Sequence, residues 1–182
     1  MQWLLRNIFD CAMIGSGGII MAESKTNAMR LFDAAKISYE IHTYDTKDGL
    51  IDGNSVAEKC GQDPEQVFKT LVTVGHSGEH YVFVVPVNEN LDLKKAAKAV
   101  KEKSIEMIRQ KELLGLTGYI HGGCSPFGMK KQFFTVFEET AQLYDTIMVS
   151  GGRVGCQIEA DPEDMLALLG EGNAVYGDIA KE

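Results

Sequence analysis

The sequence predicts a mixed α+β domain, and three observations carry that reading. Some short stretches alternate apolar and polar residues at period two, while others repeat apolar residues at i, i+3, i+4 and i+7. The two kinds of segment come in blocks, as hairpins and paired helices, and do not follow the regular strand–helix alternation of a doubly wound parallel sheet. Apolar residues make up 45% of the chain and charged residues 24%, a balance that supports a packed core.

In chain order, Ala28, Leu31, Phe32 and Ala35 mark one face of a helix over residues 26–36, with Thr26 as its cap. Ile37, Tyr39, Ile41 and Thr43 then alternate with Ser38, Glu40, His42 and Tyr44, the pattern of a half-buried strand. Residues 55–60 read as a short helix ended by Gly61. Asp63-Pro64-Glu65-Gln66 has the composition of a further helix start, with a capping Asp and a Pro where its missing N–H costs nothing. Residues 71–74 and 81–87 form an antiparallel hairpin across His76-Ser77-Gly78-Glu79. Asp92 caps a Lys/Ala-rich helix, and Ser104 begins another that stops near Gly115. A glycine-dense loop over 115–128 leads to strands at 133–137, 146–150 and 155–159, the last two joined through Gly151-Gly152. Asp161-Pro162 opens a last helix closed by Gly170, and residues 174–176 add an edge strand.

The chain of 182 residues is long enough to bury roughly two-thirds of its unfolded surface without a disulfide or metal staple. Residues 21–182 are expected to form a single domain. Residues 1–20 hold a patchy apolar stretch broken by Asn7, Asp10 and Gly15-Ser16-Gly17-Gly18, and read as a leader or an alternative start outside the fold. No run approaches the length of about 20 apolar residues that a membrane span needs, so no membrane association is expected. The four cysteines, Cys11, Cys60, Cys124 and Cys156, contain no C-x-x-C pair, which suits a reducing, cytoplasmic setting. The net charge is −8, yet residues 92–137 carry nine Lys and Arg against four Asp and Glu. Lys94, Lys98, Lys130 and Lys131 there form either a solvated face or a basic strip that touches phosphates.

Gly122-Gly123-Cys124-Ser125-Pro126-Phe127-Gly128 is the strongest chemical candidate. Glycines expose successive N–H groups that can cradle an anion or a developing oxyanion, and the same string also suits a tight structural turn. It lacks the spacing of a Walker loop, and no helix follows it as in a dinucleotide fingerprint. Lys69 lies among Val67, Phe68, Leu71 and Val72, so its ammonium either snorkels to water or sits at the rim of a cavity. Ser150-Gly151-Gly152-Arg153 is a second glycine turn directly after a strand. Cys124 and His121 lack a third ligand or an orienting acid nearby, so neither a nucleophile pair nor a metal centre is expected, and no cofactor is implied.

Four segments taken together resemble the YbaK/EbsC family: Lys25-Thr26-Asn27-Ala28-Met29-Arg30, Val67-Phe68-Lys69-Thr70-Leu71, Gly118-Tyr119 with residues 122–131, and Val149-Ser150-Gly151-Gly152. The resemblance covers roughly residues 24–181. It implies a mixed, mainly antiparallel, barrel-like sheet with flanking helices, the fold of the prolyl-tRNA synthetase editing domain. It also implies an aminoacyl-tRNA deacylase that clears cysteine from tRNA for proline, without metal or cofactor. The family's essential lysine falls on Lys69, and its substrate-binding loops fall on Gly122, Gly123, Cys124 and Ser125 and on Ser150, Gly151, Gly152 and Arg153. After the second turn the family string Lys-Arg-Gly is replaced here by Arg153-Val154-Gly155, so one basic residue is lost.

The mechanism implied by the resemblance needs no protein nucleophile, because the substrate's own thiol attacks its ester carbonyl and leaves as a cyclic thiolactone. Two other functions stay open on the residues: an editor of a different small amino acid such as alanine, working through a bound water, and a silent adaptor that binds tRNA or a synthetase. The expected partner is aminoacylated tRNA; the acidic overall charge predicts weak tRNA affinity and so delivery by a synthetase, for which a prolyl- or cysteinyl-tRNA synthetase is the expectation although no segment identifies one.

Overall fold

A computed structural model describes residues 24–181. Residues 1–20, the expected leader, lie outside the described residues. The first helix, α1 (Asn27–Ala35), is capped as expected: the Thr26 hydroxyl accepts from the Met29 N–H, and Lys36 closes the helix in the left-handed region. Strand β1 (Glu40–Thr43) follows, then α2 (Gly53–Cys60). Helix α2 begins earlier than the sequence suggests, because Asp52 accepts from the Ser55 N–H and serves as the cap, and Gly61 ends it in the left-handed region.

The helix expected from Asp63 does not form. Its capping residues make a single turn instead, with Glu65 N–H donating to Asp63 Oδ1 at 3.0 Å and Gln66 N–H to the Asp63 carbonyl at 2.9 Å. The β-branched run immediately after them then enters β2 (Phe68–Gly75), which pairs antiparallel with β3 (His80–Pro86) through the expected four-residue connection. Asp92 caps α3 (Leu93–Ala99) by accepting from Lys94 and Lys95. The helix expected from Ser104 is replaced by a strand, β4 (Ile105–Met107), which hydrogen-bonds to the open edge of β2 at Thr73–Gly75. A tertiary partner here overrides local propensity. Helix α4 (Gln110–Thr117) starts only after Arg109, whose N–H donates to Glu112 Oε2 at 3.1 Å while its carbonyl accepts from the Glu112 N–H at 2.9 Å, and it runs past Gly115 to Gly118.

The remaining elements are β5 (Phe134–Glu138), a 3₁₀ turn (Glu139–Leu143), β6 (Ile147–Ser150), β7 (Cys156–Ala160), α5 (Pro162–Leu168) and β8 (Ala174–Gly177). Two sheets result, with orders β1-β7-β6 and β4-β2-β3-β5-β8. Four of the six strand pairings are antiparallel; β3–β5 and β5–β8 are parallel. The sheets do not close into a barrel. They meet where β2 begins, at a bridge between Val67 and Met148, with the Met148 N–H donating to the Gln66 carbonyl at 2.8 Å.

Strand β3 is buried on both faces, which explains its unbroken apolar run. Val82 and Val84 join the core between the sheets together with Phe32, Phe127, Ile147 and Ile158. Phe83 and Val85 join a second core on the outer face, under α3, with Ala96, Ala97, Val136 and Ile179. No helix among the described residues is long and apolar enough to cross a membrane.

Candidate active site

Between the Val67 bridge and the β4 pairing, residues 68–71 of β2 have a strand neighbour on one side only, among the described residues. A cleft of about 380 Å³ opens along this stretch. Lys69 and Thr70 line it from β2, Asp52 to Asn54 from the start of α2, Ser150 and Gln157 from β6 and β7, and His121, Gly122 and Cys124 from the glycine loop. Three distant sequence motifs thus share one cavity.

Lys69 is half-buried and is not the free surface lysine that its residue type favours. Its ammonium donates to the Val87 carbonyl at 3.1 Å and to the Glu89 carbonyl. Two of its three N–H donors are thereby engaged, and one is left for a ligand. Burial pulls its pKa below the ordinary lysine value, and the Glu89 carboxylate opposes that shift.

On the opposite side the glycines are dictated by close approach. A Cβ on Gly123 would lie 2.9 Å from the Val154 nitrogen, and one on Gly151 would lie 2.8 Å from Cys156 Sγ. The two glycine turns therefore pack backbone against backbone. Ser125 is fully buried, and its hydroxyl accepts from the Phe127 N–H at 3.3 Å, so it shapes the loop and does not face the cleft. Gly152 packs against the Tyr119 ring, and the Tyr119 hydroxyl donates to the Phe127 carbonyl at 2.7 Å.

Arg153 is not among the residues that line the cleft. Its Nη1 donates to the Ser24 carbonyl at 3.2 Å, which ties the second glycine turn to the chain ahead of α1. Val154, where the resemblance leads one to expect a base, packs beside Gly122 and Gly123. The four lysines separate into two groups. Lys94 and Lys98 are exposed on α3 over the outer face, whereas Lys130 packs along Gly118 and reaches the Leu114 carbonyl, and Lys131 lies 5.8 Å from the Phe133 ring centre.

Cys124 and His121 both line the cleft, but burial pushes the Cys124 thiol up to about 12, so the sulfur is protonated at neutral pH and is a poor nucleophile. Cys60, Cys124 and Cys156 form no disulfide. Among the described residues one group of three possible metal ligands, Glu40, His42 and Glu159, lies on the β1–β7 pair, with His42 paired to Glu159 at 2.7 Å. None of the three lines the cleft.

The sequence reading missed Tyr44, Thr70 and Gln157. The Tyr44 and Thr70 hydroxyls are buried in the wall of the cleft with no hydrogen-bond partner, which is costly unless a ligand or water supplies one. Adjacency to Lys69 was a signal for Thr70; Tyr44 and Gln157 reach the cleft only through the pairing of β1, β7 and β6.

An aminoacyl-tRNA editing domain model matches residues 53–168, a span that holds Lys69 and both glycine turns. The chain belongs to the aminoacyl-tRNA editing domain family. It is an aminoacyl-tRNA deacylase. It is 48% identical, over 86% of its length and 94% of the relative's, to EbsC of Enterococcus faecalis, named as a Cys-tRNA(Pro)/Cys-tRNA(Cys) deacylase. A crystal structure described as a trans-editing enzyme for prolyl tRNA synthetase superposes with a TM-score of 0.70 at 26% identity, covering 79% of this chain and 87% of that one. The hypothetical protein APE2540, at 18% identity, shares the fold with a TM-score of 0.76 over 86% of this chain and all of that one.

Proposed function

We propose that this editing domain acts in trans, in the cytoplasm, to clear cysteine from mischarged tRNA, Cys-tRNA(Pro) foremost, with a prolyl- or cysteinyl-tRNA synthetase delivering the substrate. The observation that carries the reading is one cleft lined by both Lys69 and the glycine loop at Gly122 and Cys124, in which the one lining cysteine among the described residues is held as a thiol. The 48% identity to EbsC supports the choice of amino acid.

In this reading the substrate's Sγ attacks its own ester carbonyl. A C–S bond forms, the ester C–O bond breaks, and the terminal ribose hydroxyl leaves with the thiol's proton. Attack within one molecule needs no entropy from binding beyond that of holding the reactive conformer. The protein's contribution is position and charge. Lys69 directs its remaining donor to the ester or the ribose, and the Gly122 and Cys124 N–H groups serve the developing oxyanion, the Gly123 N–H being already given to the Ile120 carbonyl at 3.1 Å. Tyr44 and Thr70 offer their hydroxyls to the polar groups of the aminoacyl moiety. The test is deacylation of cysteinyl-, alanyl-, seryl- and prolyl-tRNA by the purified chain: cysteinyl-tRNA should turn over fastest, and preference for alanyl-tRNA would overturn the assignment.

A further inference from the structure

The Lys69 ammonium owes its position to a segment that is itself held by the end of the chain. Val87 is fixed to β2, its N–H donating to the Val67 carbonyl at 2.8 Å. Beyond it, residues 90–92 run beside residues 179–181. Asp92 N–H donates to the Ile179 carbonyl at 2.8 Å, Lys181 N–H to the Asn90 carbonyl at 2.8 Å, and Leu91 bridges Ala180. The Glu89 carbonyl, one of the two acceptors of Lys69, lies between these anchors. The tail in turn is clamped by Glu138, the last residue of β5 and only 3% exposed, whose Oε2 accepts from the Ile179 N–H at 2.8 Å and the Ala180 N–H at 2.7 Å.

We infer that Glu138 is a positioning residue for the deacylation reaction, acting through residues 179–181 and 90–92 to hold the Glu89 carbonyl on Lys69. A buried carboxylate that gathers two successive backbone N–H groups fixes the position of that backbone directionally, which apolar packing alone does not. Misplacing a catalytic group by an ångström or so costs rate far from the substitution itself. The charged group facing Lys69 is the Glu89 carboxylate, which is in turn faced by Glu138, Glu65 and Lys95.

The inference rests on the role proposed for Lys69, so the test reads Lys69 directly as well as through activity. Competitive acetylation across pH, followed by mass spectrometry of the Lys69 peptide, gives the lysine's titration without any substrate. In Glu138→Gln the midpoint should move to lower pH, since the ammonium loses a carbonyl that favours it. The kcat on cysteinyl-tRNA should fall about tenfold, with KM within about twofold. As a control for loss of stability alone, Ile158→Val should leave the midpoint where it is. A chain ending at Ile179 keeps that side chain in the core but removes the Ala180 and Lys181 contacts, and it should behave as Glu138→Gln does if that variant fails to fold. An unmoved midpoint in a folded variant overturns the inference. Should the wild-type chain leave cysteinyl-tRNA intact, the substrate assignment fails, and the acetylation midpoint still decides the role of Glu138.

Discussion

In the proposed reading the group offered to the ester on the β2 side of the cleft is a side chain, whereas on the glycine-loop side it is the main chain. The Lys69 ammonium reaches its place through a flexible stem and is steadied by two carbonyls from outside its own strand. The loop at Gly122–Cys124 is steadied by contact, with no room for a Cβ at Gly123 against Arg153 and Val154. The difference teaches how each side should fail. With the role proposed for Lys69, removing its side chain should delete the activity and leave β2 paired with Val85 and its neighbours. Adding a single carbon to the glycine side moves backbone, so fold and function decline together.

The largest effect is expected from Lys69→Ala, which should abolish turnover of cysteinyl-tRNA while thermal unfolding stays close to wild type. Turnover at the wild-type rate by the folded variant would break the contrast between the two sides. Gly123→Ala should come next, losing about 1–3 kcal/mol of stability by overpacking and a matching share of activity. Gly115, exposed on α4 with open space around it, is its control: Gly115→Ala should stabilise by about 0.5–1 kcal/mol. Effects of opposite sign on unfolding would sharpen the distinction between a glycine needed for contact and one that is merely tolerated.

A smaller effect is predicted for the lysines. Because they fall into two groups, Lys94→Gln with Lys98→Gln and Lys130→Gln alone should lower the salt dependence of tRNA binding separately, by about one log–log unit or slightly less per phosphate contact. A slope unchanged in either set returns that group to a solvated face. The smallest effect should come from the Cys124→Ala, Cys156→Ala pair. Cys124 is held as a thiol by burial, so the variant should keep activity within the range set by about 1–3 kcal/mol of packing loss. A lost nucleophile would instead cost orders of magnitude.

Elements whose own residues decide them were legible in the sequence. Thr26, Asp92 and Asp161 each cap the expected helix, and the β2–β3 hairpin has the expected connection. Elements decided by a distant partner were not. Residues 105–107 become a strand because β2 offers an open edge, and Asp63-Pro64 yields a turn because the chain must enter β2 at Phe68. The site divides along the same line. Lys69, Gly122 and Ser150 were marked by motif, while Tyr44 and Gln157 reach the cleft only through sheet pairing. Arg153, also marked by its place in a motif, is not in the cleft lining; its Nη1 reaches the Ser24 carbonyl from a turn that packs against the start of α1.

Central to this account is that the substrate supplies the nucleophile and the cleft supplies only position and charge. The most direct measurement compares single-turnover deacylation of cysteinyl-tRNA with that of the same tRNA carrying S-methylcysteine, with binding of both measured in parallel. The account predicts that the methylated substrate binds but is not cleaved at a measurable rate. Cleavage of bound S-methylcysteinyl-tRNA at the rate of the unmodified substrate would contradict it and assign the attack to a water or a protein side chain.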